Sequence, residues 1–155
     1  MIRRLLCVAM LATAVSCRGP GERVPEGSVA AALTAASARG AGARVVLADV
    51  ADAAWQRVYV FGPYTPADVI SRCLGRSALL LTQGIESRDD ANLLVFQFPD
   101  APPQAIMVPR QAGDFAPEAL RRGYSRRDAV FVVRRPPPGT WGNLAPAAGS
   151  ATRCS

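Results

Sequence analysis

Histidine and lysine are both absent from this chain of 155 residues, and all 18 of its positive charges are arginines. Without histidine, Ser-His-Asp and Cys-His nucleophile systems are excluded, and so are zinc sites that use histidine ligands. Without lysine, neither a Schiff-base mechanism nor a Walker-type phosphate loop can be built. We therefore assign no catalytic residue, no metal site and no cofactor, and we expect that the protein is not an enzyme.

Carboxylates are the remaining groups from which acid–base chemistry can be assembled. They occur in three pairs: Asp49 with Asp52, Asp89 with Asp90, and Asp114 with Glu118. Each pair falls in a predicted loop or at a predicted helix start, where acidic side chains form turns and caps. General acid–base catalysis also needs a cleft that shifts a pKa, which the sequence does not show. A small histidine-free hydrolase is retained as an alternative.

The first 17 residues have the layout of a secretory signal, with Arg3 and Arg4 before an apolar run at 5–15 that is too short to span a bilayer comfortably. The segment ends in AVSC, at residues 14–17, which resembles the lipobox of bacterial lipoproteins. In that family the cysteine receives a diacylglyceryl group and becomes the mature N-terminus. The resemblance implies that residues 1–16 are a removed signal peptide and that Cys17 is lipidated. An ordinary signal peptide cleaved elsewhere is the alternative.

The resemblance also implies a location. Arg18 follows the cysteine, where an aspartate typically retains such lipoproteins at the inner membrane, so we expect the outer membrane, facing the periplasm, with acyl chains as the membrane anchor. Removing Arg3 and Arg4 leaves 16 of the 18 positive charges against 12 negative ones. This modest positive charge favours an envelope protein, peptidoglycan or anionic lipid as partner. Given the location, we expect no nucleic-acid partner.

Two cysteines remain after the signal and the lipidated residue are set aside, namely Cys73 and Cys154. Because compartments outside the cytoplasm are oxidising, the sequence predicts a disulfide between them. It would tie the end of a short helix to the C-terminal tail. Two free thiols are the alternative.

Residues 55–75 predict a strand, a tight turn and a short helix. Four of the ten aromatic residues lie at positions 55–64, and aromatic and β-branched residues are typical of strands. We expect a central strand, because both of its faces are apolar, with Trp55, Tyr59 and Phe61 on the same face. Thr65 is predicted to cap the helix and Gly75 to end it.

Arg57 shares that aromatic face, where a charged side chain fits a purely structural core poorly. It can snorkel, stack on a ring or pair with a carboxylate. The rings themselves are interpreted as core under the helix, with a ligand-facing platform as the alternative. Arg57 and Tyr64, which lies in the turn, form the candidate binding surface.

The chain is predicted to have four segments, of which the signal peptide at residues 1–16 is the first. Residues 17–43 carry the lipidated N-terminus and a flexible tether, because a helix at 28–39 would have only Val29 and Leu33 as large apolar residues. Residues 44–135 form the globular domain. Residues 136–155 are a tail rich in Pro, Gly and Ala that has little regular pattern.

The globular domain is predicted to be α+β, with an antiparallel or mixed sheet of about five or six strands and one main short helix on one face. A strand at 77–83 is expected to form a hairpin with one at 91–98. Helical turns are expected at 116–122. The other predicted strands are 44–48, 55–61, 104–108 and 129–135.

Arginine occurs in pairs at 121/122, 126/127 and 134/135. Such pairs are usually solvated, and a shared anion-binding patch is the alternative.

The run at 55–65, WQRVYVFGPYT, is similar to small bacterial envelope lipoproteins that carry a W-x-R/K-x-Y-x-F-x-P-Y-T pattern, a resemblance that implies no activity. The leading hypothesis is a lipid-anchored envelope lipoprotein with a non-catalytic binding or structural domain. An inhibitor or accessory subunit of an envelope enzyme, docking through Arg57 and Tyr64, is the second hypothesis.

Overall fold

The structure is a computed structural model that describes residues 23–50, 54–136, 142–147, 149 and 151–154, with the backbone alone described at 77–79. The predicted signal peptide, Cys17 (the predicted lipidation site) and Asp52 lie outside these residues. The fold is α+β, as predicted, and its strands form two antiparallel sheets. The helices are α1 (Glu26–Arg39), α2 (Leu47–Val50) and α3 (Ala67–Leu74), with 3₁₀ helices at Arg76–Leu81, Ile85–Ser87 and Pro117–Ala119. The strands are β1 (Arg44–Val46), β2 (Arg57–Phe61), β3 (Ala91–Gln97), β4 (Gln104–Pro109), β5 (Arg122–Ser125), β6 (Val130–Val133), β7 (Leu144–Pro146) and β8 (Ala151–Arg153).

The larger sheet has the strand order β4-β3-β2-β5-β8, and the smaller one has the order β1-β6-β7. β2 lies in the middle of the five strands, which confirms the prediction of a central strand. Its register places Val58 between Phe96 of β3 and Tyr124 of β5. The chain passes from the larger sheet to the smaller one between β5 and β6, through a tight turn at 126–129.

The larger sheet is covered on both of its sides, and we call these the broad side and the narrow side. The broad side packs against α1 and the smaller sheet through residues such as Val58, Leu94 and Phe96. The narrow side packs against α3 and the 3₁₀ helices Arg76–Leu81 and Ile85–Ser87. Its core has six fully or nearly buried residues: Phe61, Ile70, Ile85, Leu93, Val95 and Ala105. Because successive side chains of a strand point to opposite sides of the sheet, the apolar strands β2 and β3 contribute to both cores.

The expected flexible tether is largely a folded helix. Val29, Leu33 and Ala36 of α1 are fully buried on the broad side, so the prediction that 28–39 packs too weakly to dock is wrong. The small side chains of this alanine-rich helix allow a close approach, and the sheet supplies the bulky partners. The small number of large apolar residues on α1 therefore does not measure how firmly the helix packs on the sheet.

The chain is also held just before α1. Gln104 at the start of β4 accepts a hydrogen bond from the Val24 N–H at 2.9 Å and donates one to the Val24 carbonyl at 2.8 Å. Val24 itself is buried. Only seven residue steps separate Val24 from Cys17, which limits the reach between them to about 25 Å.

The predicted hairpin between 77–83 and 91–98 is wrong. Arg76–Leu81 is a 3₁₀ helix in which Leu80 is 93 % exposed, so this segment forms no strand that could pair with β3. β3 pairs instead with β2 and β4. The helix ends at Gly75, as predicted, and the positive φ of 86° at this glycine redirects the chain before a strand can begin.

Three short strands were missed by the sequence analysis: β5, β7 and β8. β5 has the sequence RGYS and begins at the last residue of the predicted helical turns, of which only Pro117–Ala119 is helical. Glycine is unfavourable in strands, but the ring of Tyr59 lies 2.7 Å from where a Cβ of Gly123 would be. The Tyr59 ring of the neighbouring strand β2 therefore favours glycine at position 123, and this glycine weakens the sequence signal by which β5 could have been predicted.

Two local predictions around β2 are wrong as well. Trp55 precedes β2 and packs edge-on against Phe96 on the broad side, away from Tyr59 and Phe61. Thr65 does not cap α3, because its hydroxyl donates a hydrogen bond to the Gly62 carbonyl at 2.7 Å and closes the preceding turn. Pro66 occupies the N-cap position instead.

Candidate functional site

Arg57 and Tyr64, the predicted binding surface, are at opposite ends of β2: Arg57 is its first residue, and Tyr64 lies in the turn after its last. The strand itself spans about 13 Å at 3.3 Å per residue. Arg57 donates hydrogen bonds to the Thr152 hydroxyl at 3.0 Å and to the Gly123 carbonyl at 3.4 Å. Its guanidinium thus links β2 to β5 and β8, and it does not share a surface with Tyr64.

Tyr64 presents its ring to solvent, with 59 % of the residue exposed. Its backbone is held in the left-handed region at φ 55°, and its N–H donates to the carbonyls of Ile85 and Arg88 at 3.1 and 3.2 Å. A left-handed conformation is uncommon for a bulky residue and persists only where the surroundings impose it. The turn therefore displays an aromatic ring from a rigid backbone.

Three of the six carboxylates singled out in the sequence, Asp90, Asp114 and Glu118, are held by arginines. Asp114 receives two hydrogen bonds from Arg110, at 2.9 and 2.6 Å, and this contact raises the pKa of Arg110. Asp90 is bound in the same two-pronged way by Arg88, whose hydrogen bonds lower the pKa of Asp90. Glu118 forms an ion pair with Arg134. In these pairs the carboxylate is committed to a structural contact.

A cavity of about 560 Å³ opens beside the edge of the larger sheet where β5 and β8 run. It is lined on one side by the segment around the 3₁₀ helix Pro117–Ala119 and on the other by the two strands. Its lining residues are Pro117, Glu118, Leu120, Arg121, Arg122, Arg153 and Cys154. We call this space the arginine cavity.

The charge of the arginine cavity comes from two neighbouring strands. Arg122 and Arg153 are directly opposite one another in the antiparallel register of β5 and β8. Residues in such a position have Cβ atoms about 5 Å apart, and like charges there destabilise the sheet. Within the described part of the chain, neither guanidinium has an ion-pair partner. A bound anion would convert this repulsion into attraction.

Arg121 adds a third positive charge and connects three strands. Its N–H donates to the Val60 carbonyl of β2 at 2.7 Å, and its carbonyl accepts from the Cys154 N–H at 3.1 Å. Its φ of 55° lies in the left-handed region. Residues kept in this region cost on the order of 1–3 kcal/mol, and such strain concentrates at functional sites.

The wall that faces these arginines is fixed from behind by Tyr124. This buried residue of β5 donates a hydrogen bond from its hydroxyl to the Ala119 carbonyl at 3.0 Å. Burial raises the pKa of Tyr124 to about 12, against the opposing effect of the positive charge of Arg122. The 3₁₀ helix is therefore tied to the strand that carries Arg122.

The other wall is tied down covalently. Cys154, directly after β8, forms a disulfide with Cys73 of α3, with a Cα–Cα distance of 5.0 Å and a sequence separation of 81. β8 is an edge strand of only three residues, which is little for independent stability. The disulfide thus holds Arg153 beside Arg122.

Chemically, the arrangement is suited to holding an anion. Guanidinium groups bind phosphate and carboxylate through paired, charge-assisted hydrogen bonds. The one carboxylate of the lining, Glu118, is already paired with Arg134. Among the described residues no group of three or more His, Cys, Asp or Glu is placed to hold a metal ion.

Sequence reasoning identified part of this site. The arginine pairs were interpreted as solvated, with a shared anion-binding patch as the alternative, and the structure brings the pair 121/122 together with Arg153. The pair 126/127 lies elsewhere, with Arg126 stacked 5.2 Å above the Trp55 ring. Arg153 could not be assigned to the site from the sequence, because it is placed there by the pairing of β5 with β8 and neither strand was predicted.

Comparison with protein-family models, curated proteins and solved structures found no match to this chain. The lipobox and the aromatic motif at 55–65 therefore remain resemblances in the sequence. In the part of the chain that the structure describes, no helix has both the length and the apolarity needed to cross a bilayer.

Proposed function

We propose that the protein is a lipid-anchored lipoprotein of the bacterial cell envelope whose folded domain binds a negatively charged partner without catalysis. The observation that carries the binding role is the arginine cavity. Its three arginines face a single carboxylate that is already neutralised, so the lining attracts an anion and has no free group to act as a base. The lipobox at residues 14–17 supports the anchor.

The structure alters how such an anchor would work. Because Val24 is fixed to Gln104, the free span from an acylated Cys17 is about 25 Å at most. The domain would therefore stay close to the membrane surface, in place of being lifted away by a tether that extends to residue 43. The proposed location, at the outer membrane and facing the periplasm, rests on the resemblance at Arg18 and not on this span.

Metabolic labelling with radioactive palmitate tests the anchor. We expect label in the wild-type protein and in a Cys7→Ser control, because Cys7 lies in the removed signal peptide. We expect no label in Cys17→Ser, which should also leave the membrane fraction. An unlabelled wild-type protein, or a Cys17→Ser variant that fractionates with membranes, would refute the anchoring proposal.

A second candidate function, an inhibitor or accessory subunit of an envelope enzyme, is favoured by the exposed Tyr64 ring. Aromatic residues displayed on a rigid backbone are typical anchors of protein interfaces. Arg57, which is engaged with β5 and β8, does not contribute to this surface.

Affinity purification from envelope extract distinguishes this candidate. A partner at equal stoichiometry should be lost with Tyr64→Ala and kept with Leu80→Ala, since Leu80 is an equally apolar and more exposed control. Recovery of the same partner with both variants, or of none with the wild type, would count against a docking role for Tyr64.

A further inference from the structure

We infer that the ligand of the arginine cavity is a soluble small molecule that carries a phosphate group, held between Arg122 and Arg153 and completed by Arg121. The inference deepens the proposed function and rests on its claim that the cavity binds an anion. It does not depend on lipidation of Cys17.

The positive charges of the arginine cavity are not neutralised by the described residues. Arg134, beside the cavity, has a protein partner in Glu118. The three arginines of the lining, Arg121, Arg122 and Arg153, have no ion-pair partner among the described residues. Because Arg122 and Arg153 are directly opposite in register, an anion bound between them would neutralise a repulsion that the described residues leave uncompensated.

The number of positive charges in the cavity indicates the charge of its ligand. Three arginines line the cavity, and the only carboxylate there is already paired. A carboxylate ligand brings one negative charge, whereas a phosphate monoester or diphosphate brings about two or more. Its several oxygens can also accept hydrogen bonds from both guanidinium forks at once. A phosphate group therefore matches this cluster better than a single carboxylate does.

The shape of the cavity indicates the form of its ligand. A volume of about 560 Å³ is within the range of sites for small organic ligands and exceeds what one phosphate needs. Pro117, Leu120 and the disulfide at Cys154 supply an apolar part of the lining. A ligand with a phosphate at one end and a less polar body fits this division. Because the site is concave, the flat surface of a bilayer does not fill it.

Calorimetric titration of the full chain carrying Cys17→Ser tests the inference, since this variant has no acyl chain of its own. With inorganic pyrophosphate as probe, we expect one site per chain. Arg122→Gln and Arg153→Gln should each weaken binding about tenfold or more, as expected when a charge-assisted contact is lost. Arg127→Gln is the matched control, because Arg127 is 91 % exposed and does not line the cavity, and it should bind as the wild type does.

Thermal unfolding of each variant shows whether it is folded, and removal of one of two facing like charges should leave the melting temperature unchanged or higher. Absence of pyrophosphate binding, or equal weakening by Arg127→Gln, overturns the inference. Tighter binding of citrate than of pyrophosphate overturns the assignment to phosphate. Stronger binding to vesicles that contain phosphatidylglycerol than to pyrophosphate, lost with Arg122→Gln, assigns the site to lipid headgroups and overturns the soluble ligand.

Discussion

The two sides of the larger sheet solve the same problem by different means. On the broad side, α1 and the smaller sheet cover it with many fully buried side chains, including the edge-to-face cluster of Phe115, Phe131 and Tyr124. On the narrow side, a two-turn helix and short 3₁₀ segments cover it with only six such residues, and a disulfide supplements them. A thin apolar layer is thus reinforced covalently, as small cores commonly are.

The comparison also explains where the cavity lies. At the β5–β8 edge, Arg122 and Arg153 lie on the broad side, whereas the adjacent Cys154 belongs to the narrow side. Ala151 of β8 packs against the core of the broad side, and the disulfide at Cys154 fixes the end of the same strand. The arginines that line the cavity belong to neither core, so a ligand can bind to them without displacing core side chains.

The largest effect is expected from Phe131→Ala, which should lower the free energy of unfolding by about 3–5 kcal/mol. Phe131 is fully buried and contacts two other rings at about 5 Å between centroids. The matched change on the narrow side, Phe61→Ala, should cost less, because its neighbours include the adaptable Met107 and can collapse into the space. Urea denaturation of both variants measures the difference, and equal losses would break the comparison.

Removing the disulfide with Cys73→Ser and Cys154→Ser together should lower stability by at most about 4.5 kcal/mol, from the loop entropy of an 81-residue separation. The loss should be uneven across the molecule. Amide hydrogen exchange should accelerate in α3 and β8 far more than in α1 and β6. Equal acceleration on the two sides would show that the disulfide does not act locally on the narrow side.

A smaller effect is expected from pH. The pKa of Tyr124 is about 12 in the folded protein, above the ordinary value of 10.0, because burial disfavours the phenolate. The stability linked to this group is fully present below pH 10 and is lost as pH rises toward 12. The difference in unfolding free energy between wild type and Tyr124→Phe should therefore shrink across this window. A constant difference would contradict the assigned burial of the hydroxyl.

The smallest change in stability is expected from Arg121→Gly. Relief of the left-handed backbone, on the order of 1 kcal/mol, is opposed by a similar entropy gain of glycine in the unfolded chain. Pyrophosphate binding should nevertheless weaken, because the third positive charge is gone. Denaturation and titration of the same variant measure both quantities. A large loss of stability with unchanged binding would make Arg121 a structural residue only.

Periodicity in the sequence was sufficient where both strand faces are apolar. β2, β3, β4 and β6 are near their predicted positions, the helix after the turn ends at Gly75, and Cys73 and Cys154 are joined. These features depend on local alternation, on a glycine that accepts a positive φ, or on the small number of cysteines. Each is a property of a short stretch of chain.

The errors have a common physical cause. α1 has few large apolar residues, and its burial depends on side chains that come from β4 and the smaller sheet. β5 contains the glycine that the Tyr59 ring requires, and β8 has only three residues, so neither has a local signal. The arginine cavity was hidden for the same reason, since it exists only where these two strands pair.

The amino-acid sequence by itself determined the excluded chemistries, the α+β class, the central strand and the expectation of a lipidated cysteine, because residue types and short-range periodicity are sufficient for these. Only the tertiary structure decided that α1 joins the core and that Arg153 shares one cavity with Arg121 and Arg122. The first outcome depends on contacts of α1 with β4 and β1, and the second on the pairing of β5 with β8, whose facing residues are about 30 positions apart. In both cases the stabilising contacts form between distant segments, so neither segment shows them by itself.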